Sequence, residues 1–261
     1  MGIVNVTPDS FSDGGSYLAS DNAINHGKCL IKDGADILDV GGESTRPNAE
    51  IVTIEEEIDR ISPVIDGLAR AGAPYISVDT RNARTMQAAI TLGANVINDV
   101  SGLTHDNDAV DIVAQSNFPV CIMHMQGNPQ TMQSSPVYEN VIDEILYFFE
   151  ERLEFCTANG VDQKNIIFDP GIGFGKTVDH NLSIIKNFNK FKILGCPLLL
   201  GGSRKSFIGT VCDETEADKR VYGSISAALY GVENGADILR VHDVKETRQA
   251  LKVHKAILSA H

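Results

Sequence analysis

A chain of 261 residues, 43% of them hydrophobic, is long enough to bury a full core and fits one large α/β domain. Its net charge of −13 argues against a broad surface for nucleic acid or an anionic membrane, although a local cluster of Arg and Lys could still bind a small anion. The sequence has no apolar run as long as a membrane span and no secretory pattern. Its five cysteines are an odd number and include no C-x-x-C pair, so we expect the protein to be located in the reducing cytoplasm.

Apolar runs alternate with amphipathic stretches along the chain. The apolar runs predict eight strands, at Gly2–Val6, Asp36–Val40, Tyr75–Val78, Asn95–Asn98, Val120–Met123, Ile166–Phe168, Pro197–Leu200 and Asp237–Val241. The amphipathic stretches predict eight helices, at Asp21–Asp33, Ile54–Ala71, Arg84–Leu92, Asp108–Ser116, Val137–Asn159, His180–Phe188, Ala217–Asn234 and Asp243–Ala260. This alternation over about 250 residues is typical of a closed (β/α)8 TIM barrel, with a doubly wound open sheet as the alternative. No linker divides the chain, so we expect a single domain over residues 1–261.

Polar residues follow the predicted strands at one end, whereas the opposite ends carry mainly Gly-Ala pairs and Pro. In a barrel the active site forms from the loops at the carboxyl ends of the strands. The polar stretches are Asn5–Gly15, Gly41–Pro47, Asp79-Thr80-Arg81, Asn98-Asp99, His124-Met125-Gln126-Gly127, the loop after Phe168, Gly201–Ser206 and Arg240–Asp243. Two of them belong to long loops, Thr7–Gly15 and Glu43–Thr53, which we expect to be mobile because they are rich in Ser, Gly, Pro and Asn.

The loop after the sixth strand is the most informative stretch. The apolar run Ile166–Phe168 leads into Asp169 and Pro170, followed by glycines at alternate positions. Proline restrains Asp169 to an extended conformation, and the glycines let the backbone approach a ligand. A Walker loop would need glycine at Pro170, and a dinucleotide fingerprint would need glycine at Lys176, so both nucleotide motifs are excluded. The simpler alternative is a helix cap with a flexible turn.

Three residues with acceptor groups, Asp79, Asn98 and Asp169, stand at strand ends. An ionised carboxylate suits a pair of parallel N–H donors, and an aminopyrimidine ring such as guanine or pterin presents such a pair. Asn98 can donate and accept along another ring edge, and Lys205 can donate to a ring carbonyl or nitrogen. The alternative for Asp79 and Asn98 is capping of the helices that follow.

A second group suits an anion. Arg240 and His242 alternate by two, so both face the barrel mouth if the last strand extends that far, and Asn5 lies on the adjacent first strand. Arg and His can hold a phosphate, and the oxygen of Asn5 can bind Mg²⁺, which needs few protein ligands when it bridges phosphates. The alternatives are a helix N-terminal role for His242 and an ion pair of Arg240 with Asp243 or Glu43.

Taken together, these motifs resemble the dihydropteroate synthase family. The resemblance covers essentially the whole chain in order, through Asn5–Gly15, Gly41–Pro47, Asp79-Thr80, Asn98-Asp99, Met123–Gly127, Phe168–Lys176, Ser203–Ser206 and Arg240–Asp243. It implies a pterin-binding TIM barrel that joins 6-hydroxymethyl-7,8-dihydropterin diphosphate to p-aminobenzoate, giving 7,8-dihydropteroate and diphosphate in folate synthesis. It also implies Mg²⁺, a cytoplasmic homodimer and inhibition by sulfonamides. The chain departs from the family pattern at Gly202 and at Asn48-Ala49-Glu50-Ile51.

The resemblance also implies roles for individual residues. The pterin would contact Asp79, Asn98, Asp169 and Lys205, and the diphosphate would contact Asn5, Arg240 and His242, with Asn5 as the metal ligand. The p-aminobenzoate site would contain Thr45, Arg46, Pro47, Phe174 and Ser206, with Lys205 beside it. The residues expected to act in catalysis are Asp13, Arg46, Lys205, Arg240 and His242.

The chemistry that this set suggests is charge stabilisation. Mg²⁺, Arg240 and His242 would stabilise the leaving diphosphate, and Asp13 would stabilise the pterin-methyl cation before the aryl amine attacks. Three other functions compete with the synthase. They are a pterin-dependent methyltransferase acting on methyltetrahydrofolate, a lyase that forms a Schiff base through Lys205, and a non-catalytic pterin-binding protein. The Ser203–Ser206 and Arg240–His242 motifs favour the synthase.

Overall fold

Eight parallel strands close into a barrel in the computed structural model. The structure describes residues 1–6, 15–43, 52–127, 132 and 136–260, without the side chains of residues 15–18. The strands are β1 (Gly2–Asn5), β2 (Leu38–Gly41), β3 (Ile76–Asp79), β4 (Val96–Asp99), β5 (Val120–Met123), β6 (Ile166–Asp169), β7 (Leu199–Leu200) and β8 (Ile238–Leu239). The first six pair in chain order, β7 pairs with β8, and single bridges Phe168–Leu198 and Gly2–Val241 join the two groups into a ring. The predicted TIM barrel is confirmed, and the open-sheet alternative is wrong.

Helices surround the barrel and connect successive strands. Within the described residues they are α1 (Gly15–Lys32), α2 (Ile54–Arg70), α3 (Ala83–Leu92), α4 (Ala109–Ser116), α5 (Val141–Ala158), α6 (Val178–Lys186), α7 (Ser206–Cys212), α8 (Val221–Glu233) and α9 (Val244–Leu258). Several begin at side chains that satisfy free backbone N–H groups. Thr53 accepts from Glu56 N before α2, Asn140 accepts from Ile142 N before α5, and Thr177 forms a capping box before α6.

The prediction of one helix after each strand is wrong in the last third of the barrel. The seven-residue α7 follows β7 and was not predicted, and the predicted helix Ala217–Asn234 divides into a 3₁₀ turn, Ala217–Arg220, and α8. The predicted helix Val137–Asn159 begins four residues later, because Asn140 caps α5. The predicted helix His180–Phe188 begins two residues earlier and is followed by the 3₁₀ helix Phe188–Leu194.

The alternation of side chains along each strand separates two regions. One set packs between strands and helices and forms the main core, including Val4, Leu38, Val40, Ile76, Val78, Ile97, Val120, Ile122, Ile166 and Phe168. The alternate set points into the barrel, where Cys121, Ile167 and Leu199 are buried together against Ile238. Towards the carboxyl ends this inner set becomes polar. Across the described ranges, no helix combines the length and apolar character needed to cross a membrane.

Candidate active site

Neighbouring strands bring four inward positions into one row at the carboxyl ends. The strand register pairs Asn5 with Gly41, Gly41 with Asp79, and Asp79 with Asn98. Gly41 contributes no side chain, and a Cβ there would lie 3.4 Å from the Asp79 Cβ. The row therefore presents an amide, an open position, a carboxylate and a second amide, as the sequence predicts for three of these residues.

Asp169 ends β6 and is 5% exposed. Its Oδ1 accepts a hydrogen bond of 2.7 Å from Gly171 N. One carboxylate oxygen therefore stabilises the turn, as in the alternative of a cap with a turn, and the other oxygen does not take part in this bond. Gly171 has φ +70°, and a Cβ there would lie 2.0 Å from the His124 carbonyl oxygen, so only glycine fits this turn. Burial raises the pKa of Asp169 to about 6, against the opposing effects of the Gly171 N–H and of Lys205.

Arg240 lies at the centre of a buried polar network. Its Nε donates to Asp39 Oδ2 at 2.6 Å, and its Nη2 donates to Asp79 Oδ2 at 2.7 Å. Asn98 Nδ2 donates to the same oxygen of Asp39 at 3.1 Å. Burial raises the pKa of Asp79 to about 7, although the Arg240 charge opposes the shift. The network joins Asp79 to Arg240 directly and joins Asn98 to Arg240 through the carboxylate of Asp39.

The alternatives for Arg240, Asp79 and Asn98 do not describe this network. Among the described residues Asp243 pairs with Arg204 and Glu43 pairs with Arg81, so neither acid pairs with Arg240. Asn82, not Asp79, occupies the cap position of α3, and Asn98 contacts Asp39. Asp39 itself was not predicted, because a single acid within the apolar run of β2 gave no sign of facing a site.

His242 lies beside Ser203 at the end of β7. Its Nδ1 is 3.0 Å from Ser203 Oγ, and its backbone N donates to the same hydroxyl at 3.2 Å. The Ser203 hydroxyl can accept the backbone bond and donate its own proton to Nδ1, and in that tautomer the ring proton lies on Nε2. Burial and then Arg204 lower the pKa of His242 to about 4, so the ring is a neutral donor at physiological pH.

Phe174 and Lys205 form a contact pair beside Asp169. The Lys205 Nζ lies 4.1 Å from the centroid of the Phe174 ring, a cation–π distance. The Lys205 side chain also crosses Gly173, where a Cβ would approach its Cδ to 3.1 Å. Ser206 is the exposed first residue of α7 and directly follows Lys205 in the chain.

A buried lysine holds the loop that carries Phe174. Lys176 is 3% exposed, and its Nζ lies 3.0 Å from His124 Nδ1 and donates to the carbonyl oxygens of Phe174 and His124 at 3.0 and 3.3 Å. Three acceptors match the three protons of an ammonium group. Burial lowers the pKa of Lys176 to about 7 and that of His124 to about 3. The position of Lys176 inside a Gly-rich turn is the only sign of this role in the sequence.

Four predicted site residues, Asp13, Thr45, Arg46 and Pro47, lie outside the described residues, as do most positions of the two long loops. Their assignments therefore stay predictions. Among the remaining predicted residues, the structure links Asp79 to Arg240 directly and Asn98 to Arg240 through Asp39, and it places Lys205 beside Phe174.

Comparisons with known proteins identify the family of the chain. The family described as pterin binding enzyme matches residues 1–242. The chain is 45% identical over 260 residues to the dihydropteroate synthase of Haemophilus influenzae, covering 100% of this chain and 94% of the relative. The chain belongs to the dihydropteroate synthases.

Solved structures give the same result. A Xanthomonas albilineans dihydropteroate synthase with 4-aminobenzoic acid has a TM-score of 0.95 at 43% identity, covering 100% of this chain and 93% of that chain. A Yersinia pestis dihydropteroate synthase in complex with a sulfonamide drug has a TM-score of 0.94 at 42% identity, covering 100% and 94%. Family membership confirms the predicted transferase function in preference to the methyltransferase, the Schiff-base lyase and the non-catalytic binding protein.

Proposed function

We propose that the carboxyl-end mouth of the barrel joins 6-hydroxymethyl-7,8-dihydropterin diphosphate to p-aminobenzoate, within a single pterin-binding domain over residues 1–261. The observation that carries this assignment is the buried network at that mouth. It places the carboxylate of Asp79 against the cation Arg240, and Asp39 joins Asn98 to the same cation. A ligand with an aminopyrimidine ring at one end and an anion at the other suits this arrangement, because the ring can bind the polar acceptors and the anion can bind the cation.

The pterin ring contacts Asp169, Asp79, Asn98 and Lys205. Asp169 keeps Oδ1 on the turn, and its Oδ2 faces Gly201, where a Cβ would lie 3.5 Å away. The absence of a side chain at Gly201 leaves this oxygen accessible to a ring donor. Lys205 supports the charged form of Asp169 and donates to the ring.

The diphosphate contacts Asn5, Arg240 and His242. Arg240 has five N–H donors, of which two hold Asp39 and Asp79, so up to three serve the ligand. His242 contributes a neutral Nε2–H donor. The amide oxygen of Asn5, beside the open position of Gly41, suits Mg²⁺, which prefers oxygen ligands and keeps most of its shell for water and phosphate. Asn5 would hold the metal there, and its charge would stabilise the leaving diphosphate.

This donor set fits a metal that arrives with the substrate. Among the described residues no three His, Cys, Asp or Glu side chains form a cluster that could hold a metal. A single amide is sufficient when substrate oxygens complete the shell.

The p-aminobenzoate site contains Phe174 and Ser206, with Lys205 over the Phe174 ring. Thr45, Arg46 and Pro47 complete it in our assignment. The C–O bond to the diphosphate breaks, with its electron pair leaving on diphosphate, and the methylene cation delocalises into the pterin near Asp13. The aryl amine then attacks to form the C–N bond and loses a proton. Positioning and charge stabilisation supply most of the rate acceleration.

Incubation of the protein with the pterin diphosphate, Mg²⁺ and p-aminobenzoate tests the assignment. We expect 7,8-dihydropteroate and diphosphate in equal amounts, with turnover lost when the metal is chelated and restored by Mg²⁺. A sulfonamide, which resembles p-aminobenzoate, should compete with it. Diphosphate release without a C–N product would contradict the condensation.

We expect Arg240→Ala and His242→Ala to weaken binding of the pterin diphosphate much more than binding of the pterin alcohol, because only the first ligand reaches their donors. Paired calorimetric titrations measure the ratio. Arg240→Ala also leaves buried carboxylates without their cation, at a cost of about 3–5 kcal/mol, so thermal unfolding must accompany it. Arg81→Ala is the matched control, since Arg81 pairs with Glu43 at the same end of the barrel. Equal losses for both ligands would indicate general support of the pocket.

We also propose a cytoplasmic homodimer. A groove of about 870 Å³ between α8 and α9 has apolar walls that include Tyr222, Val253 and Ile257, which are 86%, 57% and 67% exposed. Large exposed apolar surfaces commonly mark interaction sites. Light scattering should give the mass of two chains, and Tyr222→Asp with Ile257→Asp should shift it towards one. An unchanged mass would place the interface elsewhere.

A further inference from the structure

Asp39 is a buried carboxylate to which the proposed reaction assigns no role. It is 0% exposed, so it acts on a ligand only through its neighbours. Its Oδ2 accepts from both Arg240 Nε and Asn98 Nδ2, at 2.6 and 3.1 Å. Its Oδ1 is buried and has no hydrogen-bond partner in the described part of the chain. Burying a carboxylate with one oxygen unsatisfied lowers the stability of the folded protein. A buried group of this kind therefore calls for a functional explanation.

The position of Asp39 in the strand places it directly below the mouth. It precedes Gly41 by two residues on β2, so the two positions face the barrel interior together. Glycine at position 41 leaves the space above Asp39 without a side chain, and Asp79 lies beside Gly41 in register. A carboxylate on the inner layer thus reaches two residues that end different strands, Arg240 and Asn98.

We propose that Asp39 is a positioning residue that orients Arg240 towards the diphosphate and Asn98 towards the pterin. This inference rests on the proposed roles of those two residues. A guanidinium held at Nε by Asp39 and at Nη2 by Asp79 has its plane fixed by two charge-assisted bonds. Asp39 thereby sets the direction in which the remaining N–H groups of Arg240 point.

The same carboxylate fixes the amide of Asn98. An ionised carboxylate only accepts hydrogen bonds, so reversing the Asn98 amide would bring two oxygens together. Asn98 is 4% exposed and cannot turn to solvent instead. Its carbonyl oxygen and second N–H therefore keep one orientation for the pterin edge.

The direction of the change in diphosphate affinity shows whether Asp39 positions Arg240 or only contributes a negative charge near the anion site. A carboxylate near an anion site repels the anion, so removing a passive Asp39 charge should strengthen diphosphate binding. Removing the charge of a positioning carboxylate should weaken it, because the bond that anchors Arg240 Nε becomes a neutral hydrogen bond, roughly half as strong as a charge-assisted one. Asp39→Asn keeps the shape of the side chain and removes the charge.

The experiment compares the intact wild-type protein with Asp39→Asn. Calorimetric titration measures the binding of inorganic diphosphate with Mg²⁺ and of the pterin diphosphate. Steady-state kinetics then give kcat, and KM for each of the two substrates. We expect at least about tenfold weaker diphosphate binding and a higher KM for the pterin substrate, with a smaller change in KM for p-aminobenzoate. Equal or tighter diphosphate binding in a folded Asp39→Asn variant would overturn the proposal.

A double-mutant cycle with Arg240→Ala tests whether Asp39 acts through Arg240. In the Arg240→Ala background, Asp39→Asn should cause no further loss of diphosphate affinity, whereas a second, equal loss would contradict the proposal. If Arg240→Ala alone leaves diphosphate binding unchanged, the proposed diphosphate site is wrong, and the Arg240 half of this inference fails with it. Failure of the proposed diphosphate site would appear in Arg240→Ala, whereas failure of the positioning role alone would appear as unchanged diphosphate binding in Asp39→Asn.

Glu57→Gln is the control for general loss of stability. Glu57 is 1% exposed on α2, accepts from Asn82 and Thr85 at 2.9 and 2.6 Å, and likewise has one buried oxygen without a partner in the described residues. It lies outside the barrel, between α2 and α3. Glu57→Gln should shift Tm while leaving diphosphate affinity and KM unchanged. If it changes them as Asp39→Asn does, the effect of Asp39 is structural.

Discussion

Asp169→Asn should reduce pterin affinity by two orders of magnitude or more and leave the protein folded. Asp169 Oδ1 accepts from Gly171 N, and asparagine can keep that bond through its own carbonyl oxygen. The substitution then puts an NH₂ group at the position of Oδ2, facing the N–H donors of the ring. Charge-assisted hydrogen bonds contribute about 1.5–3 kcal/mol each. Losing the bond at Oδ2 and leaving the ring donor unpaired, which costs about 1–3 kcal/mol more, corresponds to about a hundredfold change in Kd or greater, which calorimetry with the pterin alcohol measures.

The same substitution should make stability less dependent on pH. Burial raises the pKa of Asp169 to about 6 from 3.8, so the folded state holds its proton more tightly than the unfolded state does. The contribution of Asp169 to stability is therefore complete below pH 3.8 and is lost as pH rises through about 6. The Tm of Asp169→Asn relative to wild type should rise between pH 4 and pH 7.

Asp99→Asn provides the matched control. Asp99 also ends a strand, is 0% exposed and has a pKa raised to about 6 by burial. Its oxygens accept from Ser101 and Leu103 within its own turn, and we assign it no contact with the ligand. Asp99→Asn should lower Tm and leave pterin affinity unchanged. Wild-type affinity in a folded Asp169→Asn variant would remove Asp169 from the pterin site.

The sequence predicted the barrel because each strand and helix carries its own local pattern. Strand ends could also be predicted, since Asp79, Asn98 and Asp169 each follow a short apolar run. The short α7 was missed because its seven residues are too few for a helical period, and its boundaries depend on the burial of Phe207 and Ile208. Only tertiary packing distinguishes such a segment from a loop.

The hydrogen-bond network at the mouth of the barrel could not be predicted from the sequence alone. Asp39 follows Leu38 and precedes Val40, so the run resembles an ordinary buried strand. A buried carboxylate needs a cation, but sequence alone does not identify which of the 22 Lys and Arg residues supplies it. Arg240 lies 201 positions away in the chain and meets Asp39 only when β8 closes against β1.

Lys205→Met should reduce turnover at least about a hundredfold and should also move the pH dependence of pterin binding. The direct loss is a charged donor, worth about 1.5–3 kcal/mol for each hydrogen bond to the ring. The lysine over Phe174 also holds one wall of the p-aminobenzoate site, with a cation–π contact of 4.1 Å that methionine cannot replace. KM for p-aminobenzoate should therefore rise as kcat falls.

The pH effect follows from Asp169. Burial raises the pKa of that carboxyl to about 6, and the charge of Lys205 opposes the shift. Without Lys205 the pKa of Asp169 rises further, so a larger fraction is protonated at pH 7 and cannot accept from the ring. Wild-type pterin affinity should fall as pH drops through about 6, and in Lys205→Met this fall should begin at higher pH.

Lys205→Arg separates charge from geometry. Arginine keeps the positive charge near Asp169, so the pH dependence of pterin binding should stay close to that of wild type, while turnover remains low because the planar guanidinium does not reproduce the ammonium contacts. A pH dependence that is unmoved in Lys205→Met would mean that Lys205 does not influence Asp169. Borohydride trapping followed by mass spectrometry adds an independent check, because a covalent adduct at Lys205 would make it a nucleophile, whereas a hydrogen-bond donor forms none.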